Sequence, residues 1–481
     1  MNKTDNNLSI IVVGASGDLA RKKIFPALFA LYCQDYLPKN FNVFGFSRTE
    51  FSHEDFRAKI TEHLTCRYVP GESCAGKMSE FLAHCHYSAG AYGSRESFLD
   101  LYELMRGKES SSAVNRMFYL AIPPSIFLDV AHSIAGAGLV NCGIKEPWSR
   151  VVIEKPFGKD RESSDVLTEE MAKVFSENQT YRIDHYLGKE VVQNLFVLRF
   201  ANQVFEPIWN SNYIEKVCID WRENIGVESR AGYFDEYGII RDVVQNHLLQ
   251  VLAMVAMERP KNTSAQCVRD EKVKALRCIK LLALGDVFLG QYAAGELNGK
   301  SHVGYLEEKN MPPDSITPTY AAAVLRINNS RWKDVPFVIT AGKGLNTRLS
   351  EVKIHFKQMP NDIFDDTSDQ IPDNQLVIRI QPDASINLKV INKKPGLDFV
   401  LTESNLDLIY KSAFESEMPD AYECLLLDVI EGDKSLFIRS DELEAAWDIF
   451  TPVLHEIEKK SVKPELYPFG SDRPGMPMGN D

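Results

Sequence analysis

The segment RIDHYLGKE, at residues 182–190, places a carboxylate, an imidazole, a phenol and an ammonium group close together in the chain. A phosphate monoester carries about two negative charges at neutral pH and accepts several hydrogen bonds at once. His185, Tyr186 and Lys189 could donate to it together, whereas Asp184 can only accept and needs another role. The segment therefore indicates a site for a phosphorylated substrate. The alternative is a polar surface turn.

A second candidate is His247, in the segment FDEYGIIRDVVQNHLLQ at 234–250. In a helix it shares a face with Val243, Val251 and Met254, because positions four and seven apart line up. A histidine on such a face is often only a hydrogen-bonded core residue. If the spare carboxylate of Asp184 holds the imidazole in one tautomer, however, His247 is a directed general base.

The first apolar run, at 9–13, leads into GASGDLARKK, in which Gly14 and Gly17 precede a helical pattern. Glycines at such a turn let the backbone approach a pyrophosphate, and the start of the helix supplies free amide donors and a favourable dipole. The motif therefore predicts a dinucleotide site. One glycine of the usual three is missing, so an ordinary strand-to-helix turn is the alternative.

The end of the second predicted strand helps to choose the coenzyme. An NAD site commonly has an acidic residue there for the ribose 2'-hydroxyl, but Ser47 and Arg48 occupy that place here. A guanidinium group can clamp and stack against a 2'-phosphate, so we predict NADP as the cofactor. Glu50 is close enough to leave NAD open, and Arg48 could also be a solvated loop charge.

These residues need a scaffold that brings distant segments together, and the pattern before residue 182 indicates one. Short apolar runs alternate with helix-period stretches, which is typical of a parallel sheet covered by crossover helices. We therefore predict an α/β Rossmann-like dinucleotide-binding domain over residues 1–182. The predicted strands are 9–14, 42–46, 116–122 and 150–154, and the predicted helices are 20–33, 53–63, 124–135 and 163–174.

The remainder, residues 183–481, has a different texture. Helices are predicted at 189–201 and 240–258, and the later runs alternate as antiparallel strands do, which predicts a larger α+β domain with a mostly antiparallel sheet. Loops are expected at 295–319 and 359–374, and the tail from residue 464 shows no periodicity. The predicted strands are 218–223, 322–327, 336–340, 351–356, 376–381 and 385–390.

The composition is ordinary for a soluble globular protein, with 44% apolar and 25% charged residues. A net charge of -13 argues against a general binder of nucleic acid or anionic membranes. The nine cysteines form no CxxC pair and no metal-ligand spacing, so we expect reduced thiols. The polar start has no signal or membrane segment, and we expect a cytoplasmic protein.

Six motifs occur in a fixed order between residues 10 and 396 and closely resemble the glucose-6-phosphate dehydrogenase family. The resemblance implies oxidation of D-glucose 6-phosphate to 6-phospho-D-glucono-1,5-lactone with hydride transfer to NADP+, the first step of the oxidative pentose phosphate pathway. It also implies a large sheet that supports a homodimer or homotetramer. The motifs are GASGDLA, EKPFG (154–158), RIDHYLGKE, ENIGVE (223–228), RDVVQNHLLQ and AGKGLN (341–346).

The resemblance also implies roles for single residues. His247 would remove the proton from the anomeric hydroxyl, Asp184 would orient its imidazole, and no metal is expected. Lys155 would reach both sugar and coenzyme, and Pro156 after it could carry a hinge or a cis peptide. The implied substrate-binding residues are Lys155, His185, Tyr186, Lys189, Glu223, Asp242, Lys343 and Arg348, and the implied cofactor-binding residues are Gly14, Ser16, Gly17, Asp18, Leu19, Ser47, Arg48, Pro123 and Lys155.

The chain also departs from the family pattern. Many members have an acidic residue where this chain has Ala91, so that contact is missing or comes from the backbone. A second, structural NADP is not expected, because Thr340 and Leu349 stand where basic residues would bind it, although Arg379 and Lys389 match. Two other readings stay open: a related NADP-dependent sugar dehydrogenase and a catalytically silent NADP-binding sensor.

Overall fold

A six-stranded parallel sheet forms the first half of the protein. The computed structural model describes residues 7–69, 71–111, 113–141, 147–359, 372–415 and 417–477. The strand order is β3-β2-β1-β4-β5-β6, the order of doubly wound dinucleotide-binding folds. The strands are β1 Asn7–Val13, β2 Phe41–Ser47, β3 Cys85–Ala89, β4 Val114–Leu120, β5 Ser149–Glu154 and β6 Thr180–Ile183.

Helices cover both faces of this sheet because its strands are apolar on both sides. Every residue of β4, for example, is buried. The helices are α1 Phe25–Cys33, preceded by a π-helical turn at Ala20–Ile24, α2 His53–Thr61, α3 Glu72–Ala83, α4 Arg95–Arg106, α5 Phe127–Gly136 and α6 Arg161–Ala172.

The second half is built on a nine-stranded sheet, in the order β16-β15-β14-β13-β7-β12-β11-β8-β17. Its pairs are antiparallel except for β7 with β12 and β8 with β17. A separate hairpin joins β9 to β10. The strands are β7 Ile214–Arg222, β8 Val287–Ala293, β9 Gly295–Leu297, β10 Lys300–His302, β11 Tyr320–Arg326, β12 Pro336–Gly342, β13 Leu349–Phe356, β14 Gln375–Gln381, β15 Ser385–Lys393, β16 Leu401–Ile409 and β17 Glu465–Pro468.

Helices of the second half pack against this sheet and against the first half. A π-helical stretch at Ile240–Leu248 runs directly into α9. The helices are α7 Glu190–Ala201, α8 Ala231–Ile239, α9 Leu249–Ala256, α10 Ala265–Arg277, α11 Tyr410–Ala413, α12 Ala421–Glu431 and α13 Ser440–Lys460.

Helix α12 belongs to the second half in sequence but packs against the first. Its Tyr422, Leu425 and Val429 lie in the same apolar cluster as β1 and α1. Helix α13 packs on α6 in the same way. The C-terminal helices therefore tie the two sheets together.

The predicted fold class is confirmed, a Rossmann-like parallel sheet followed by a larger domain with a mostly antiparallel sheet. The predicted strands and helices are all present, with ends shifted by a few residues. Two expectations are wrong: the predicted loop at 295–319 contains the β9–β10 hairpin, and the tail after residue 464 forms β17 beside β8. Most of the predicted loop at 359–374 lies outside the described residues.

The expectation of reduced thiols is wrong for one pair, because Cys66 and Cys74 form a disulfide. Six other cysteines are free, and Cys142 lies outside the described residues. Within the described ranges, the helices lack the length and apolar character that crossing a bilayer requires.

Candidate active site

The carboxyl edge of the first sheet gathers residues from five strands. Parallel strands end at the same edge, which is where open α/β sheets bind their ligands. Gly14 follows β1, Arg48 follows β2, Pro123 follows β4, Lys155 follows β5 and Asp184 follows β6. One edge of the first sheet thus carries residues of both the predicted coenzyme site and the predicted sugar site.

The turn after β1 is a close backbone approach. Gly14 has φ +90°, and a Cβ on it would lie 2.2 Å from the carbonyl oxygen of Ala121. The amide of Gly17 donates to the carbonyl of Gly14 at 2.9 Å, and Leu19 directly precedes the helical turn Ala20–Ile24. A glycine turn that packs closely against the end of β4 and is followed by the start of a helix fits a pyrophosphate group. The residues present therefore suit a dinucleotide.

Two other residues of this turn are polar and accessible. The Ser16 hydroxyl accepts a hydrogen bond from Thr49 at 3.3 Å. Asp18 is 67% exposed and pairs with Arg21 and Lys22 on the next turn. The charge of Asp18 is thus partly neutralised by these two cations.

The two residues predicted at the end of β2 differ in exposure. Ser47 is fully buried, and its hydroxyl lies 2.6 Å from that of Tyr87. Arg48 is exposed, and its guanidinium lies 5.3 Å from the centre of the Tyr92 ring, within cation–π range. The amide of the neighbouring Ala91 donates to Ser97. Of these two residues only Arg48 is exposed, so its guanidinium is the group that can contact a ligand.

At the sugar end, Asp184 and His247 form a buried pair. His247 Nδ1 lies 2.6 Å from Asp184 Oδ1, and these side chains are 5% and 1% exposed. The Tyr186 amide donates to the same oxygen at 2.9 Å, and the Tyr186 ring stacks on the imidazole. Because a carboxylate only accepts, Nδ1 carries the proton and Nε2 keeps its lone pair.

The charges of the pair oppose the effect of burial. Burial alone would raise the pKa of Asp184, but the charge and hydrogen bond of His247 outweigh it and lower that pKa below its ordinary value. Burial lowers the pKa of His247, and Asp184 opposes this shift only in part. The imidazole is therefore neutral near pH 7, which is the form that accepts a proton.

The π-helical stretch explains why Asp242 and His247 act at one place. In an α-helix, residues five apart point in different directions, since each residue turns by about 100°. In a π-helix the hydrogen bonds run from i to i+5, so residues five apart lie above one another. The Asp242 carboxylate and His247 are close enough to influence each other's pKa. The predicted α-helical face of His247 is thus only part of its surroundings, although Val243, Val251 and Met254 are buried.

Two lysines of the site are held by acids. Lys155 Nζ donates to Asp242 Oδ1 at 2.9 Å, and the peptide bond from Lys155 to Pro156 is cis. Burial would raise the pKa of Asp242, but the charge of Lys155 outweighs it and lowers that pKa. Lys343, after β12, donates to Glu223, after the parallel neighbour β7. The first pair therefore joins the end of β5 to the π-helical stretch Ile240–Leu248, and the second joins the ends of two neighbouring strands of the large sheet.

The residues predicted to bind the phosphate lie beside these pairs. Burial lowers the pKa of Lys189, whose Nζ donates to Gln381 at 3.0 Å. The Tyr186 hydroxyl accepts from Trp221 Nε1 at 2.7 Å. Arg348 is exposed, and its charge also lowers the pKa of Lys189, so the two cations share one region. A concentration of positive charge is what a phosphate dianion needs.

The partly buried His185 joins this region to the proton-transfer pair, and its ring lies edge-on to that of His247, 4.6 Å between centres. Burial and the charge of His247 lower its pKa well below the ordinary value. In the described part of the chain, Asp184, His185 and His247 also have ligand atoms within 4.8 Å of one another, as a metal site would need. The absence of a metal stays a prediction.

Three contact residues escaped the sequence reasoning. Trp221 could have been found, because it lies two residues before Glu223 in the predicted strand 218–223, and residues two apart face the same side of a strand. Tyr92 follows Ala91 in the chain, but nothing in the sequence pairs its ring with Arg48. Gln381 ends a strand far from Lys189 in the chain and gave no signal.

Two family models match the chain. The model described as "Glucose-6-phosphate dehydrogenase, NAD binding domain" matches residues 11–194, and the one described as "Glucose-6-phosphate dehydrogenase, C-terminal domain" matches residues 196–477. Together they cover most of the sequence.

Individual proteins give the same result. Glucose-6-phosphate 1-dehydrogenase 1, chloroplastic, of Arabidopsis thaliana is 51% identical over 98% of this chain and 82% of its own. The cytoplasmic isoform of glucose-6-phosphate 1-dehydrogenase from Solanum tuberosum is 47% identical over 97% of this chain and 89% of its own. A solved structure, described as glucose-6-phosphate dehydrogenase in complex with its substrate glucose-6-phosphate, superposes with a TM-score of 0.90 at 42% identity, covering 98% of this chain and 96% of that one. The chain belongs to the glucose-6-phosphate dehydrogenase family.

Proposed function

We propose that this protein oxidises D-glucose 6-phosphate to 6-phospho-D-glucono-1,5-lactone with NADP+ as the hydride acceptor. This is the first step of the oxidative pentose phosphate pathway. The observation that carries the proposal is the buried pair of Asp184 and His247. It follows the last strand of a dinucleotide-binding sheet and lies near the cations of Lys189 and Arg348, which suit a phosphate. A silent sensor has no need of a base held in one tautomer.

His247 is the general base. Its Nε2 takes the proton of the C1 hydroxyl, and the electron pair of that O–H bond forms the carbonyl of the lactone as the C1 hydride leaves. The imidazolium that results is stabilised by Asp184, 2.6 Å from Nδ1. A positioned base contributes about 10²- to 10⁴-fold to rate.

The substrate is held at its two ends. His185, Tyr186 and Lys189 bind the phosphate, with Arg348 at the rim. Sugar hydroxyls exchange hydrogen bonds with the acid–lysine pairs, namely Glu223 with Lys343 and Asp242 with Lys155. Groups already held in these pairs need little reorganisation when the sugar arrives.

The coenzyme would bind along the carboxyl edge of the first sheet. The turn of Gly14 and Gly17, with Ser16, Asp18 and Leu19, would hold its pyrophosphate, and Pro123 would line the nicotinamide half. Arg48, beside Ser47, binds the 2'-phosphate. When bound, the oxidised nicotinamide accepts the hydride from C1. Lys155 stands between sugar and coenzyme and fixes their relative position.

A direct absorbance assay tests the activity. The appearance of reduced coenzyme is followed by absorbance with glucose 6-phosphate or free glucose as substrate and NADP+ or NAD+ as acceptor. We expect turnover with glucose 6-phosphate and NADP+, and a far lower kcat/KM for free glucose. Equal kcat/KM for glucose and its phosphate would indicate a different sugar dehydrogenase. Absence of turnover with tight NADP+ binding would indicate a sensor.

Three further assignments belong to this proposal. The protein is a homodimer or a homotetramer built on the large sheet, whose outer strand β16 exposes Leu406 and Ile409 (61% and 43%). The protein is cytoplasmic. It divides into an NADP-binding part, 1–182, and a substrate-binding and dimerisation part, 183–481. This boundary differs from that of the two family models by about one helix. Light scattering after gel filtration tests the assembly, and a monomer would contradict it. Cell fractionation tests the location.

A further inference from the structure

A buried acid behind the substrate site has no role in the reaction as described. Glu154, the last residue of β5, is 9% exposed, and the Tyr119 hydroxyl donates to its Oε1 at 2.5 Å. The hydroxyl of Tyr422 is a second hydrogen-bond partner of the same carboxyl group. These tyrosines are 0% and 8% exposed. One strand end of the first sheet is thereby joined to helix α12, far away in sequence.

The start of α12 lies against the turn proposed to bind phosphate. The ring of Tyr422 is parallel to that of His185, with an angle of 8° and 6.2 Å between centres, an offset arrangement. A Cβ on Gly188 would lie 2.5 Å from the carbonyl oxygen of Ala421, so the two backbones touch. The charge of Asp420 raises the pKa of Lys189 against the effect of burial. Three consecutive residues, the N-cap Asp420 and the first two residues of α12, thus lie against three members of the turn.

We propose that Tyr422, anchored by Glu154, is a positioning residue that holds His185 and the phosphate-binding turn in place. The inference rests on the proposed function, since it concerns the phosphate of the same substrate. The ring sets the plane of His185, and the hydroxyl fixes the ring. Because Glu154 immediately precedes Lys155, the same anchor also fixes the strand end from which that lysine reaches the sugar.

The charge of the anchor follows from its surroundings. The pKa of Glu154 is raised to about 7, chiefly by burial and also by the charge of Asp184. The two tyrosine hydroxyls and the charge of Lys155 oppose this rise only in part. An ionised Glu154 would add a negative charge beside Asp184 and behind the phosphate, in a region of low dielectric. The neutral acid is therefore the form that favours substrate binding, and a phosphate dianion in the site stabilises it.

The first test replaces Tyr422 with phenylalanine, which keeps the ring and removes its anchor. We expect the KM for glucose 6-phosphate to rise about 3- to 10-fold, as for loss of one hydrogen bond, with kcat and the KM for NADP+ within about twofold. Tyr32→Phe is the matched control, since it removes a tyrosine–carboxyl hydrogen bond to Glu80 on the outer surface. An unchanged KM in Y422F, or an equal rise for both substrates, would overturn the proposal.

The second test replaces Glu154 with glutamine, a neutral side chain of the same shape. About one pH unit below the pKa of Glu154, the KM of the variant for glucose 6-phosphate should equal that of the wild type. About one unit above that pKa, the KM of the variant should be lower than that of the wild type. A purely structural role would change the melting temperature and leave the ratio of the two KM values unaltered, which would contradict the proposal. An inactive wild type would instead refute the proposed function.

Discussion

The two ends of the active site are built in opposite ways. At the coenzyme end the proposed site consists of a turn with glycines at positions 14 and 17, where no side chains intrude, and the exposed Arg48. At the sugar end the charged groups are buried and already paired, with Asp184 1% and His247 5% exposed. The first end is shaped by the absence of side chains, and the second by their mutual hydrogen bonds.

The difference reflects what each end must do. A coenzyme that binds and leaves needs a surface complementary to it, which a glycine turn at the end of a strand supplies. Chemistry at C1 needs a base whose direction is fixed before the substrate arrives, and only buried partners can hold it. Substitutions of the Asp184–His247 pair should therefore change kcat, and those at the coenzyme end should change the KM for the coenzyme.

The largest effect is expected for His247→Asn. Asparagine keeps a polar side chain of similar length but cannot accept a proton, so kcat should fall by about 10²- to 10⁴-fold. The dissociation constant for glucose 6-phosphate, measured by calorimetry, should stay within about threefold of the wild-type value. His86→Asn, at a histidine that is 6% exposed in the first sheet, is the control. Unchanged kcat in H247N would remove His247 from the mechanism.

A smaller loss is expected for Asp184→Asn. The amide no longer stabilises the imidazolium, so kcat should fall on the order of 10²-fold. Asp184 raises the pKa of His247, and its removal lowers that pKa. The acid limb of the pH profile of kcat/KM should therefore move to lower pH, because the base stays neutral further into the acid range. Asp220→Asn, at an equally buried carboxylate on the large sheet, should leave the profile in place. A shift to higher pH would contradict the assigned pair.

At the coenzyme end, Gly14→Ala should act on binding alone. Its Cβ would lie 2.2 Å from the Ala121 carbonyl, so the turn must open. We expect the KM for NADP+ to rise about tenfold or more, with the KM for glucose 6-phosphate nearly kept. Gly138→Ala is the control, because Gly138 also has a positive φ, +71°, but nothing lies within 4 Å of its added Cβ. Equal effects of both variants would mean that backbone strain, not close approach, is responsible.

Whether a strand of the first sheet could be predicted depended on its place in that sheet. Strands β1, β2, β4 and β5 are central and buried on both faces, so they read as apolar runs in the sequence. Strands β3 and β6 lie at the edges of that sheet, carry polar residues in CHYSA and TYRI, and were not predicted. The sequence predicted a helix at 240–258, but not that its first part, Ile240–Leu248, is π-helical.

The site was predictable where its residues are neighbours in sequence. The segment 182–190 shows its donors and its spare acceptor directly, and Gly14 and Gly17 mark a turn. What the sequence cannot display is which distant side chains meet. Tyr422 reaches Glu154 only because α12 returns to the first sheet, and Tyr92 reaches Arg48 only through the strand order. Such pairs depend on packing of whole elements and leave no local pattern.

The smallest of these effects is expected for Arg48→Ala. Loss of a charged hydrogen-bond donor should raise the KM for NADP+ about tenfold and leave that for NAD+ within about twofold, because only NADP+ carries the 2'-phosphate. Arg48→Lys should be intermediate, since it keeps the charge but not the planar group above Tyr92. Glu50→Ala is the control, and an increase in its KM for NAD+ would revive the alternative in which that acid binds the ribose. An equal rise in KM for both coenzymes in R48A would show that Arg48 supports the turn and does not read the phosphate.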